Sequence, residues 1–291
     1  VSGVVVLKTA EAVERTVASW RSRGHSISLV PTMGALHEGH LSLVSIARKR
    51  SKRVIVSIFV NPAQFGPDED FSEYPRTFEE DREKLSRAGA HAIFLPDEHM
   101  IYPMGFSTSV LVSGLTESLC GRFRPGHFNG VTTVCAVLFG IVRPDIAVFG
   151  RKDAQQLTVI RRMVRDLHMR VQVVSGPVVR EPDGLAMSSR NRYLRTEERR
   201  QSTALYRGLC KAAELVSDGE RNADRIVGRA MEIIDSSPLV MVQYIELVDP
   251  FSLKPLLRMK RKGLLAVAAS VGETRLIDNI MLGPEGAIEE E

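Results

Sequence analysis

The sequence predicts an α/β chain, with a parallel sheet flanked by helices and a smaller α+β domain after it. Short apolar runs alternate with helical runs over residues 4–174, the pattern of strands joined by crossover helices. Residues 53–60 (Arg-Val-Ile-Val-Ser-Ile-Phe-Val) are nearly all apolar, as in strands buried on both faces. The texture changes at Gly176-Pro177, beyond which short segments, charged helices and three further strand patterns follow.

In chain order, a strand over 4–7 leads to Thr9, which caps a helix running to about Arg23. A strand over 27–30 enters a glycine loop and a helix from about His40 to Arg50. The apolar strand 53–60 ends in Asn61-Pro62-Ala63-Gln64-Phe65-Gly66, a punctuated loop. A helix over 78–87 stops at Gly89, and 92–95 is a short strand. Residues 107–112 read as an edge strand, and 121–130 as a basic, glycine-rich loop before a helix over 131–142. A strand over 146–149 precedes Gly150-Arg151-Lys152-Asp153, a helix over 154–167 and a strand over 171–174. Helices over 197–216 and 223–234 and strands over 242–248, 264–271 and 274–280 build the second domain. The expected domains are 1–176 and 177–285, with a disordered tail at 286–291.

The 291 residues suffice for a sizeable core. Hydrophobic residues at 44% and charged residues at 25% match an ordinary globular protein. The net charge of +4 is spread along the chain with no Lys/Arg block, so nucleic acid is not implied, whereas nucleotide or carboxylate ligands are compatible. Cys120, Cys135 and Cys210 form neither a disulfide framework nor a zinc motif, and a reducing compartment is expected. No apolar run is long enough to span a bilayer.

The chemistry concentrates after strands. His37 and His40 lie three residues apart at a helix start, where unpaired N–H groups and the dipole attract anions. Gly34 and Gly39 allow close backbone approach, and the group suits a polyphosphate. Lys152 offers a point charge for phosphate, while Asp153 reads equally as a helix cap. Ser188, Ser189 and Arg190 offer two hydroxyls and a guanidinium, suited to a moving phosphate chain. Taken alone they read more simply as a capping serine pair with a solvated arginine. Asn61 and Gln64 are neutral amides suited to hydroxyls and carboxylates, although Asn61-Pro62 is also turn chemistry. Asp81 reads either as a solvated helix-start carboxylate or as a metal or ribose ligand. Arg122, Arg124 and His127 read either as anion-steering or as solvated. In parallel sheets ligands sit at the carboxyl ends of strands, and the loops 31–40, 61–66 and 150–153 all follow strands.

Several motifs in order resemble the pantothenate synthetase, or pantoate–beta-alanine ligase, family. They are Pro31-Thr32-Met33-Gly34-Ala35-Leu36-His37-Glu38-Gly39-His40, Phe59-Val60-Asn61-Pro62-Ala63-Gln64-Phe65, Tyr74-Pro75-Arg76-Thr77, Gly126-His127-Phe128-Asn129-Gly130-Val131, Ile141-Val142-Arg143-Pro144-Asp145, and Asp183-Gly184-Leu185-Ala186-Met187-Ser188-Ser189-Arg190-Asn191-Arg192-Tyr193-Leu194. The resemblance runs from about residue 4 to 282. It implies a Rossmann-like parallel-sheet nucleotidyltransferase domain and a smaller α+β C-terminal lid domain. It implies that ATP and pantoate give an enzyme-bound pantoyl adenylate and pyrophosphate, and that beta-alanine then attacks, giving pantothenate and AMP.

Magnesium with ATP, a homodimer and a cytoplasmic location are implied too. By position, Met33, Gly34, Ala35, Leu36, His37, Glu38, Gly39 and His40 are expected to contact ATP, with Gly150, Arg151, Lys152, Asp153, Val179, Met187, Ser188, Ser189 and Arg190. His37, His40, Lys152, Ser188, Ser189 and Arg190 are the expected catalytic set. Asn61, Gln64 and Gln156 are expected to hold pantoate or beta-alanine, and Asp81 a magnesium ion. Arg151 and Ala154 depart from the family pattern, which carries an acidic residue and an aromatic there; Lys152, Asp153 and Gln156 are retained. An adenylyltransferase sharing the histidine loop and a non-catalytic nucleotide-binding module are the alternatives.

Overall fold

The structure, a computed structural model, describes residues 3–67 and 69–283. Its main sheet contains β1 (Val5–Leu7), β2 (Ile27–Thr32), β3 (Arg53–Ile58), β4 (Ala92–Phe94), β5 (Ile146–Gly150) and β6 (Gln172–Gly176). Every neighbouring pair is parallel and the order is β1-β4-β3-β2-β5-β6. After β2 the chain builds outward through β3 and β4, then returns to place β5 on the other side of β2. The switch point therefore lies between β2 and β5, where open α/β sheets bind ligands.

Local chemistry accounts for the helices of this part. Thr9 caps α1 (Ala10–Arg21), its hydroxyl accepting from the Ala12 N–H at 3.2 Å. α2 (Glu38–Arg50) follows β2 and packs Leu43, Val44 and Ala47 with Val30, Val56 and Val148. α3 (Phe78–Ala88) ends at Gly89, which has a left-handed φ of 76°. The one-turn helices α4 (Glu98–Ile101) and α5 (Cys120–Phe123) precede α6 (His127–Val142). α7 (Ala154–Asp166) joins β5 to β6.

Three expectations are corrected. Residues 107–112 form no strand. Their backbone is held instead by threonine hydroxyls of α6: the Val110 N–H donates to Thr133 and the Val110 carbonyl accepts from Thr132. α6 starts at His127 rather than 131, because left-handed Gly126 turns the chain directly into it. The segment 197–216 is two helices, α8 (Thr196–Ser202) and α9 (Ala204–Ser217). At their junction the Ser202 and Thr203 hydroxyls bond the carbonyls of Arg199 and Arg200, a competition that disfavours a continuous helix.

The chain divides into two compact units: Val1–Thr116 with Phe123–Arg151 and Val159–Gly176, and Pro177–Glu291 with Glu117–Arg122 and Lys152–Thr158. The sequence places the last two segments with the first domain. In the second unit the Gln155 amide donates to Ser118 O at 2.8 Å and accepts from Cys120 N at 3.0 Å. That bridge ties the two segments together. The second unit also contains α10 (Ala223–Asp235) and the antiparallel strands β7 (Val240–Val248), β8 (Gly263–Val271) and β9 (Thr274–Leu282), ordered β7-β8-β9. Its core joins Leu205, Leu209 and Ile226 to Val267 and Ile280. The expected tail, 286–291, lies outside the described residues. No helix among the described residues is long and apolar enough to cross a membrane.

Candidate active site

In the first unit the histidine loop leaves the carboxyl end of β2. Gly34 and Ala35 take successive left-handed conformations, φ 86° and 50°. A Cβ on Gly34 would stand 3.1 Å from Ile58 and 3.2 Å from the Asp81 carboxylate, so the turn needs glycine there. Ala35 carries the strain of a left-handed non-glycine residue. Asp81 holds it: the Ala35 N–H donates to one oxygen at 2.9 Å and the Leu36 N–H to the other at 2.8 Å. The Thr77 hydroxyl adds a third bond, and Lys84 Nζ donates to the Leu36 carbonyl at 2.8 Å.

Asp81 is 1% exposed. Burial pushes its carboxyl above the usual range, against the backbone donors of Leu36 and Ala35, the nearby Lys84 charge and the Thr77 bond, which favour the anion. Both oxygens thus hold the loop, and Asp81 acts as its clamp. Among the described residues no three His, Cys, Asp or Glu side chains group as a metal site.

His37 is the N-cap of α2 rather than part of its first turn. Its Nδ1 accepts from the Gly39 N–H at 3.2 Å, and His40 Nδ1 accepts from the His37 N–H at 3.3 Å. The rings lie 4.1 Å apart at 40°. With Nδ1 accepting, the hydrogen of each neutral ring belongs on Nε2. Imidazoles here close a capping box usually built with hydroxyl and carboxyl side chains. An anion approaching this helix end meets the dipole and N–H donors, with the Glu38 carboxylate also in the first turn.

The second loop follows β3. Asn61 is 1% exposed and uses its whole amide. Nδ2 donates to Gln64 Oε1 and to Gly130 O, both at 3.1 Å, while Oδ1 accepts from the Tyr102 hydroxyl at 2.6 Å and Ala63 N at 3.3 Å. Asn61 therefore orients Gln64. Gln64 directs Nε2 at Met33 Sδ, 2.8 Å away, a weak acceptor that a ligand oxygen readily replaces.

The backbone under Gln64 is braced from α6 and the turn before it. Arg124 pairs with both oxygens of Glu69 at 2.6 and 2.5 Å and donates to Gln64 O at 3.2 Å. His127 Nδ1 donates to the same carbonyl at 2.7 Å, and its Nε2 accepts from Arg124. Burial raises the Glu69 carboxyl, but the Arg124 bond and charge outweigh that and hold it low. Arg124 and His127 are therefore half-buried braces of this loop. Gly130 lets α6 pack against the Ala63 carbonyl, which a Cβ there would strike.

Gly150 ends β5 in register with Gly176, and a Cβ on Gly176 would collide with Leu43 of α2. Arg151 reaches the Ser175 hydroxyl at 3.4 Å. These residues pack the helix carrying the histidines closely over the sheet.

In the second unit, residues 179–187 form a tight hairpin. The Met187 N–H donates to Val179 O at 2.9 Å, Arg180 bridges Ala186, and Glu181 N donates to Leu185 O. The hairpin brings Val179 beside the 187–190 turn, uniting two parts of the expected ATP set. Ser188 caps the short helix Ser189–Tyr193, accepting from Arg190 N at 3.3 Å. Its capping role is thus realised. Ser189 is buried, and Met187 and Arg190 are half-buried. Lys152 and Asp153 lie in a 3-10 turn and Gln156 on the first turn of α7, all half-buried.

The sequence reading did not single out the buried ion pair beside this hairpin. Arg180 donates to both oxygens of Asp278 at 2.6 and 3.0 Å and to Gly184 O at 3.1 Å, stacked 3.6 Å over the Tyr206 ring. Burial pushes the Asp278 carboxyl up while Arg180 favours its ionised form. Asn279 donates to Lys152 O at 2.8 Å. Two polar residues inside the otherwise apolar run Leu276–Leu282 were the available signal.

A Rossmann-like sheet with an imidazole-capped helix N-terminus at its switch point defines a nucleotide-binding α/β protein. The family model for pantoate–beta-alanine ligase matches residues 5–281. The chain belongs to the pantoate–beta-alanine ligase family. It is 54% identical over 278 residues to the pantothenate synthetase of Moorella thermoacetica, covering 95% of this chain and 98% of that protein. The crystal structure of pantothenate synthetase from Thermus thermophilus matches with a TM-score of 0.89 at 44% identity, covering 95% of this chain and 99% of the other. The pantoate–beta-alanine ligase of Francisella tularensis, complexed with beta-gamma ATP and beta-alanine, matches with a TM-score of 0.78 at 29% identity, covering 96% and 97%.

Proposed function

We propose that this chain condenses pantoate with beta-alanine at the cost of ATP, through a pantoyl adenylate. Membership of the ligase family supports the reaction, and the imidazole cap at the switch point carries its phosphate chemistry. A pantoate carboxylate oxygen attacks the α-phosphorus of ATP, and the bond to the β-phosphate oxygen breaks, releasing pyrophosphate. The beta-alanine amine then attacks the acyl carbon, and AMP leaves with the electron pair of the broken C–O bond.

Adenylation turns a poor acyl donor into a good one without an enzyme nucleophile. Catalysis is then positioning and electrostatic stabilisation. On the first unit, Nε2–H of His37 and His40 donate to phosphate oxygens as charge builds on the leaving group, with His37 the proton donor. The 33–40 backbone contacts the nucleotide. Gln64 exchanges its Met33 contact for pantoate, oriented by Asn61. On the second unit, Lys152 supplies a point charge and Ser188, Ser189 and Arg190 supply donors. Gly150, Arg151, Asp153 and Val179 contact the nucleotide, and Gln156 holds pantoate. Magnesium enters as a companion of ATP, carried on phosphate oxygens. Gel filtration with light scattering tests the homodimer, and localisation of a tagged chain tests the cytoplasmic assignment.

The deciding experiment measures pyrophosphate from ATP and magnesium, with pantoate, with and without beta-alanine. A stoichiometric burst with pantoate that turns over on adding beta-alanine is expected. Release indifferent to pantoate would overturn the substrate assignment.

A further inference from the structure

Two consecutive residues of β9 face opposite sides of the strand, and each holds a different part of the expected phosphate-binding set of the second unit. Asp278, 2% exposed, is locked by the two Arg180 bonds, and Arg180 in turn closes the 179–187 hairpin through Gly184 O. Asn279, 6% exposed, sends its amide to the Lys152 carbonyl. The two residues are themselves joined, the Asn279 N–H donating to Asp278 Oδ1 at 2.7 Å, while Arg180 also donates to the Asn279 carbonyl at 3.3 Å. The turn bearing Lys152 and the hairpin leading into Ser188, Ser189 and Arg190 are thus tied to one rigid strand. That strand is paired along its whole length with β8.

We propose that Asn279 is a positioning residue for adenylation, fixing the Lys152 turn to the strand that the Arg180–Asp278 pair fixes to the 188–190 turn. The inference rests on the assignment of Lys152 to ATP phosphate made above. A Lys side chain has four rotatable carbons and is costly to hold still. Anchoring its backbone leaves only those side-chain torsions to be fixed when ATP arrives. The geometry favours this over general support of the fold, because the Asn279 amide bonds the one backbone carbonyl of the residue expected to touch phosphate.

The test is a double-mutant cycle on the full chain, read as pantoate-dependent pyrophosphate release. Asn279→Ala is expected to lower kcat about tenfold, the worth of one well-placed hydrogen bond near its upper range, with the KM for pantoate and beta-alanine unchanged. In a Lys152→Ala background the same substitution is expected to change the rate less than about twofold, since there is no ammonium left to place. Asn279→Thr, a strand former whose hydroxyl falls short of the carbonyl, repeats the cycle if the alanine variant folds poorly. Equal losses in both backgrounds, or no loss in either, would overturn the proposal. A wild-type chain showing no pantoate-dependent release would instead overturn the reaction itself, so the two failures are distinguishable.

Discussion

Asp81→Asn separates a loop clamp from a metal ligand. The carboxylate accepts from Leu36 N at 2.8 Å, Ala35 N at 2.9 Å and the Thr77 hydroxyl at 3.3 Å. An amide at this position must turn its NH2 toward one of the backbone donors. If it faces Leu36, that bond is lost and a buried N–H is orphaned. If it faces Ala35, the Thr77 hydroxyl can reverse and donate elsewhere, but the left-handed Ala35 loses its restraint. One charge-assisted bond contributes about 1.5–3 kcal/mol and an orphaned donor costs about 1–3 kcal/mol. Relief from burying a charge offsets part of this. A net loss of about 2–4 kcal/mol follows, which lowers Tm by roughly 3–7 °C for a chain of this size.

Activity falls further than stability implies. The loop positions 34–36 lead directly into His37, and a displacement of about 1 Å at a reacting group can cost a hundredfold in rate. Thermal melts, kcat for pyrophosphate release and the magnesium concentration giving half-maximal rate are to be measured together. The expected result is a lower Tm with and without magnesium, a lower kcat, and an unchanged half-maximal magnesium concentration. A sharp rise in that concentration with Tm intact would refute the clamp and restore Asp81 as a metal ligand.

Gly130→Ala drives a methyl into the Ala63 carbonyl, backbone that yields only by moving Gln64; overpacking costs about 1–3 kcal/mol, and the KM for pantoate should rise while that for ATP holds. Tyr102→Phe removes one of the four bonds to the Asn61 amide, so a loss of about 1 kcal/mol in urea unfolding and a change in kcat within about threefold are expected. The Glu69 carboxyl is held below its ordinary value of 4.5. Stability from the Glu69–Arg124 pair is therefore present above pH 4.5 and is lost as pH falls through the depressed folded value. Glu69→Gln should flatten acid unfolding in that window, checked by Tm against pH.

The parallel sheet and its order of loops were legible because local signals agree with the global fold. Thr9 caps α1, Gly89 stops α3, and the apolar run at 53–60 is a central strand trimmed at Ile58. The histidine loop was legible for the same reason, since strand, glycines and helix start are contiguous in sequence. What failed locally failed through a distant partner. Residues 107–112 have strand-like composition, yet the donors and acceptors that hold them belong to Thr132 and Thr133 of a helix. Gly130 reads as a loop residue, and its helical position is explained only by the Ala63 carbonyl across from it.

The same distinction separates groups that touch a ligand from groups that place them. His37, Gln64 and Lys152, the proposed ligand contacts, were legible because they stand in short loops that directly follow strands. Asp81 and Asn61 also carry polar side chains but are 1% exposed. Buried polar groups mostly have their bonds made by the protein or by ordered water, and both of these side chains bond to the loops around them. Sequence cannot report that burial for Asp81, which lies 45 and 46 residues from the N–H groups it holds. Arg180 and Asp278 are 98 residues apart, and Lys152 and Asn279 are 127 apart. The groups proposed to do chemistry are thus readable from short motifs, whereas the groups proposed to aim them are fixed by long-range contacts. Substitutions at the second kind should alter kcat through the residues they aim, a dependence that only paired substitutions reveal.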